Sequence, residues 1–241
     1  MSKLFKLSFA LPLFIMKSFK MKLTYIVILL FAFTLFANAQ KKLTVGILGG
    51  LNSSKFYNYN VNLRKANLIS YSFGADLGYL LKDHLSFRAN LMYERKGEET
   101  NFQLVDFTGN ELPPSSNFIL NYLTLNLLTR GSFGNKFRFI AEGGPYIGYL
   151  LSAKAVGKNT IGTINGNSSN PIILDIRSEY KSANFGIVAG MGLEYQLNTK
   201  VSISLTLRNS LGLTSVTKEN TLNSNLKTNS IQCLAGVSFN L

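Results

Sequence analysis

The chain has 241 residues, 46% of them hydrophobic, with 11 Tyr, 18 Phe, 20 Gly and no Trp. Beyond residue 40 no stretch stays apolar for the ~20 residues that a spanning helix needs, which excludes a helical membrane bundle. The formal charge of +13 is scattered, without an Arg/Lys face or an RNA-binding motif, so nucleic acid is not an expected partner.

The N-terminal segment reads as an export signal. Lys17, Lys20 and Lys22 precede the apolar run from Leu23 to Phe36, and Ala37-Asn38-Ala39 supplies a small-residue cleavage site before Gln40. An uncleaved anchor is the competing reading. No Cys follows the cleavage site, so the signal is not of lipoprotein type. Residues 1–20 contain a second apolar run, Leu4 to Ile15, and read as an over-extended start for which Met16 or Met21 would substitute. Signal 1–39 holds Lys3, Lys6, Lys17, Lys20 and Lys22; its removal lowers 25 cations to 20 against 12 acids and leaves +8.

The expected mature domain, 40–241, is a succession of strands. Alternation is the signal, because successive strand side chains point to opposite faces. Strand 42–52 sets Leu43, Val45, Ile47 and Leu51 against Gly46 and Gly50. After a second strand at 70–81, strand 85–94 opposes Leu85, Phe87, Ala89, Leu91 and Tyr93 to Ser86, Arg88, Asn90, Met92 and Glu94. Segments 117–133 and 136–153 follow, and Pro145 in the latter predicts a bulge or local break, since it cannot donate to a ladder. Strand 185–197 carries Phe185, Ile187, Ala189 and Met191 opposite Gly186, Gly190 and Gly192. Strand 201–208 opposes Val201, Ile203, Leu205 and Leu207 to Ser202, Ser204, Thr206 and Arg208. The last strand, from Ile231, has Cys233, Ala235, Val237 and Phe239 on its apolar side.

Connections alternate. Leu81-Lys82-Asp83-His84, Phe133-Gly134-Asn135-Lys136 and Leu197-Asn198-Thr199-Lys200 are tight, whereas 53–69, 98–116, 154–179 and 215–226 are long and polar. Outer-membrane barrels have short periplasmic turns, longer outside loops and an even strand count. A soluble lipocalin-like barrel would reverse the faces. Glycines crowd the polar face as a narrow lumen requires, and aromatics (Tyr71, Tyr79, Phe87, Tyr93, Phe137, Tyr149, Tyr195, Phe239) mark the strand ends as interfacial girdles do. The expected fold is therefore all-β: an eight-stranded antiparallel up-and-down transmembrane β-barrel behind a signal peptide, in the outer membrane, monomeric, with periplasmic termini. Closure follows, since an open edge in lipid would leave backbone groups unpaired.

Several segments are similar to a known family. Val45-Gly46-Ile47-Leu48-Gly49-Gly50-Leu51-Asn52, Tyr93-Glu94-Arg95-Lys96-Gly97, Gly143-Gly144-Pro145-Tyr146-Ile147-Gly148-Tyr149 and Gly190-Met191-Gly192-Leu193-Glu194-Tyr195 resemble the outer-membrane β-barrel domain family that includes the PorT-like proteins of Gram-negative bacteria. The resemblance covers essentially all of 42–241. It departs at Asn126, where the family commonly has Pro, and at the C-terminal Phe239-Asn240-Leu241, which lacks a terminal aromatic. Some members serve protein secretion, so the resemblance implies envelope or secretion-system proteins as partners.

The inward face collects Asp76, Arg88, Glu94, Arg138, Glu142, Glu194 and Arg208. Charges in a narrow interior are costly unless paired, so these seven are expected to form a structural ion-pair network that plugs the lumen. An eight-stranded interior is just wide enough for side chains to fill; a pore or proton path is the alternative. His84, the single histidine, lies in a tight turn, and no G-x-S-x-G, P-loop, C-x-x-C or H-E-x-x-H occurs. Glu98, Glu99 and Asp106 read as solvated loop acids and fit no cation-binding motif. No catalytic residue, cofactor or metal is assigned. The expected function is non-enzymatic: envelope support or partner recognition through the outer loops, among which 154–179, with Gly157, Gly162 and Gly166, is the most flexible in composition. An accessory role in secretion and a lipid-modifying enzyme are the alternatives; outer-membrane lipid is the expected surrounding partner.

Overall fold

The computed structural model describes residues 43–58, 64–101, 104–105, 111–112, 116–158, 171–218 and 225–241. Signal 1–39, Asp106, Gly162 and Gly166 lie outside the described residues. The elements in order are β1 (Leu43–Tyr57), β2 (Arg64–Lys82), β3 (Leu85–Asn101), β4 (Leu104–Val105), β5 (Glu111–Leu112), β6 (Ser116–Gly134), β7 (Phe137–Lys158), β8 (Pro171–Asp175), a single 3-10 turn at Arg177–Glu179, β9 (Ala183–Gln196), β10 (Val201–Gly212) and β11 (Lys227–Asn240).

Eight long strands run antiparallel, each beside its neighbour in the chain. β3 pairs with β6 past the small β4–β5 hairpin that lies between them in the chain, β6 with β7, and β1 with β11, so the ring closes. This is an eight-stranded up-and-down barrel with no free edge among the ring strands. The register places one residue in two outward, as the alternation requires. On β10, Leu205 is 56% exposed whereas Arg208 is 2% exposed. Cys233 is exposed on the outside of β11, between Leu51 of β1 and Leu207 of β10.

The aromatic residues fall at two heights. Tyr79 pairs with Phe87, and Phe137 with Tyr195, near the tight turns. Phe73 pairs with Tyr93, and Tyr149 with Leu123, toward the other end. From Tyr79 to Tyr71, or from Phe137 to Tyr149, a tilted strand climbs about 20–30 Å. That is the height of the apolar band of a barrel in a bilayer.

One expectation is corrected. Among the described residues, the connections expected at 53–69, 98–116 and 154–179 are mostly strand: β1 runs on to Tyr57, β2 begins at Arg64, β3 reaches Asn101, and β7 reaches Lys158 with β8 added to its far end. Polar residues dominate these overhangs because both faces leave the bilayer, so composition there resembles a loop. Of the bulge or local break expected at Pro145, the break is present, on the β6 side alone, and the bulge is not. The pairing of Pro145 with Ile187 of β9 keeps an unbroken register. Toward β6 only the pairs opposite Leu127 and Leu128 are missing, with the same register resuming on both sides. The bulge lies instead at Leu151, where Asn121 pairs with Ser152 but Tyr122 with Leu150.

Candidate functional site in the barrel lumen

Toward the tight turns the lumen holds one chain of ion pairs. Asp76 on β2 pairs with Arg88 on β3 and also accepts from Asn90. The other arm of Arg88 lies 4.0 Å from Glu194 of β9. Arg130 of β6 continues the chain, with Nη1 3.7 Å from Glu194 and Nη2 2.7 Å from Glu142 of β7. Its Nε donates to the same Glu142 carboxylate at 2.8 Å. Arg208 of β10 pairs with the second Glu142 oxygen. At the rim, Arg138 lies 3.5 Å from Glu194 and donates to Gln196 at 3.2 Å. Six of the eight wall strands are thereby tied across the interior.

Glu94 stands apart from this chain, higher in the barrel. It faces Lys96 at 2.8 Å and accepts from Thr124 at 3.0 Å and Gln232 at 2.9 Å. The Lys96 ammonium rests over Tyr146, 4.6 Å from the ring centroid. Amides and hydroxyls surround this level: Tyr146 donates to Asn184, and Asn184 to Thr228.

Above it the interior turns apolar. Phe56, Leu120, Tyr122, Leu150, Ala153, Tyr180, Val216 and Leu226 form one buried cluster. Three of these come from outside the strands. Tyr180 follows the 3-10 turn and bridges to Thr217, Lys181 donates its N–H to the Val216 carbonyl at 2.7 Å, and Val216 donates to Leu226 at 2.8 Å. The segments before β9 and after β10 thus fold inward over the mouth and drop side chains into it. Burial, with Glu179 nearby, pushes the Tyr180 phenol up to about 12, so it stays neutral in this cap.

The seven residues singled out by alternation all face inward, six of them on the lower chain and Glu94 on the upper cluster. Arg130 and Lys96 complete both groups and escaped the sequence reading. Arg130 sits in step with Thr124, Asn126 and Leu128 on the inward side of β6, so the alternation that located Arg88 would have located it. Lys96 lies on the stretch of β3 that reads as strand end. Glu98 is corrected outright: it is 1% exposed and accepts the Phe56 N–H at 2.9 Å inside the barrel, rather than lying in a solvated loop. Glu99 is half-buried on the same strand. His84 remains in its turn, its ring stacked 6.4 Å from Phe133.

A closed ring of antiparallel strands, apolar outside between two aromatic belts and ionic within, defines a transmembrane β-barrel of the outer-membrane type. The chain belongs to the outer membrane protein beta-barrel domain family, whose sequence profile matches residues 36–218. Among solved structures it is similar to Neisserial surface protein A (12% identity, 83% of this chain and 97% of that one, TM-score 0.45). It is also similar to OprG from Pseudomonas aeruginosa (10% identity, 84% and 99%, TM-score 0.43) and to Ail, the attachment invasion locus protein of Yersinia pestis (11% identity, 82% and 99%, TM-score 0.40). Comparison with curated protein sequences gives no match.

Proposed function

We propose that this is a non-enzymatic barrel of the outer membrane, sealed along its lumen, which supports the envelope or engages a partner through the structures beyond its outer belt. The observation that supports the seal is the stacking of two different closures. Arginine–carboxylate pairs cross the lower lumen, and an apolar cap fills the upper mouth. An ion crossing the barrel would have to break the first and be desolvated by the second. In this reading the termini and tight turns face the periplasm, and the overhanging strands face outward.

The test is conductance of the purified barrel in planar bilayers. No steps above the lipid baseline are expected at neutral pH; stable unitary currents from the unmodified protein would refute the seal. A second role, as an accessory of a secretion system, is supported by the resemblance of segments such as Gly143–Tyr149 to PorT-like proteins. Mild crosslinking in cells followed by purification distinguishes the two, since an accessory component brings defined envelope proteins with it and a stand-alone barrel does not.

A further inference from the structure

The five lumen cations Arg88, Lys96, Arg130, Arg138 and Arg208 each have a carboxylate within 4.0 Å. Two arginines on the outer surface have none among the described residues. Arg95 of β3 holds its guanidinium 5.9 Å from the Tyr71 ring centroid. Arg177, in the turn after β8, holds its own 6.0 Å from the Tyr149 ring and donates to the Leu151 carbonyl. Asp175 accepts the Arg177 backbone N–H at 2.9 Å, and no carboxylate among the described residues pairs with the guanidinium.

Both sit on one arc of the barrel. Tyr93 pairs with Leu123, and Leu123 with Tyr149, so β3, β6 and β7 present one row at the outer belt. Arg95 pairs with Asn121, one row higher. The rings beside the two guanidinium groups, Tyr71 on β2 and Tyr149 on β7, stand three strand spacings apart, on the order of 15 Å. Tyr71, Phe73 and Tyr93 stack against one another beside Arg95. Directly below the arc Leu91, Leu125 and Ile147 form an exposed apolar row.

We propose that this arc is a binding site for the headgroup of an anionic lipid that carries two phosphates. A guanidinium suits a phosphate because its planar fork donates two parallel hydrogen bonds. A ring face beneath each one fixes its position at the interface, where aromatic belts lie. The apolar row below receives the acyl chains of the same lipid. The assignment needs only that the barrel spans a bilayer; it does not depend on a sealed lumen or on a protein partner.

The test places the folded protein in phosphatidylcholine nanodiscs doped with cardiolipin, extracts it into detergent, and measures retained lipid by mass spectrometry. Cardiolipin should be enriched over phosphatidylcholine. Arg95→Gln with Arg177→Gln should lower that enrichment about 30-fold, at roughly fivefold per surface cation, whereas Lys136→Gln at the opposite belt should leave it unchanged. Undiminished enrichment in the double variant would overturn the site. So would equal binding of inorganic pyrophosphate in undoped nanodiscs, which would mark a site for soluble phosphate. A photoreactive cardiolipin headgroup gives a reading on the unmodified chain: labelling within 93–97 and 177–181 supports the site, and labelling elsewhere overturns it.

Discussion

At the scale of single residues, the barrel turns on which side of a strand a charge occupies. Leu205 faces outward between Leu193 and Ala235 of the flanking strands, and Leu205→Arg puts a cation into hydrocarbon. Unfolding in lipid vesicles should show a loss of about 2–4 kcal/mol, if the residue lies near the midplane, falling toward zero at the belts. Arg130 presents the opposite case. It holds both Glu142 and Glu194, so Arg130→Met leaves two buried carboxylates short of a partner and should cost about 3–5 kcal/mol. Adding Glu142→Gln should restore part of that loss, with a coupling energy of about 0.5–3 kcal/mol in the double-mutant cycle. Strict additivity would show that the pair seen in the lumen is not an energetic unit.

At the scale of elements, glycine marks where strands approach too closely for a side chain. A Cβ on Gly144 would lie 2.0 Å from the Leu127 carbonyl oxygen, while one on Gly143 meets nothing nearer than the Val188 oxygen at 3.4 Å. Gly144→Ala should therefore cost about 1–3 kcal/mol in the same unfolding assay, and Gly143→Ala almost nothing; equal effects would contradict the packing of β6 against β7. The strands within the bilayer were legible in the sequence because each must be apolar on one side, which is why the faces of 85–94 and 201–208 read directly. The overhangs were not, since past the belt the outer face turns polar while the buried inner face also carries polar residues such as Lys96, Glu98 and Thr100, so the apolar period fades, and Glu98 was accordingly read as a loop acid. The lumen was half legible. With Glu98 also inside, Asp76, Glu94, Glu98, Glu142 and Glu194 outnumber Arg88, Arg138 and Arg208 by two, and Arg130 and Lys96 are the two cations that balance them. The inward cap of Tyr180, Val216 and Leu226 left no periodic trace, because it is built from segments between strands.

At the scale of the whole molecule, the two ends of the barrel differ in construction. One end is three tight turns at Asp83-His84, Asn135-Lys136 and Asn198-Thr199, lying close to the lower aromatic belt. At the other, β7 runs from Tyr149 at the belt to Lys158, with β8 alongside, so a wall of sheet rises clear of the bilayer on that side. Outer-membrane barrels carry short turns on the periplasmic side and longer extensions on the outside. The tight turns, and with them both strand termini, are therefore expected on the periplasmic side. In a Cys233→Ser background, Ser178→Cys in the outer turn should react with a membrane-impermeant maleimide on intact cells. Asn135→Cys should react only after the outer membrane is opened. Both positions are exposed in the fold, so accessibility across the membrane, rather than burial, decides the result. The reverse pattern would invert the topology and move every external role assigned to the overhanging strands to the periplasm.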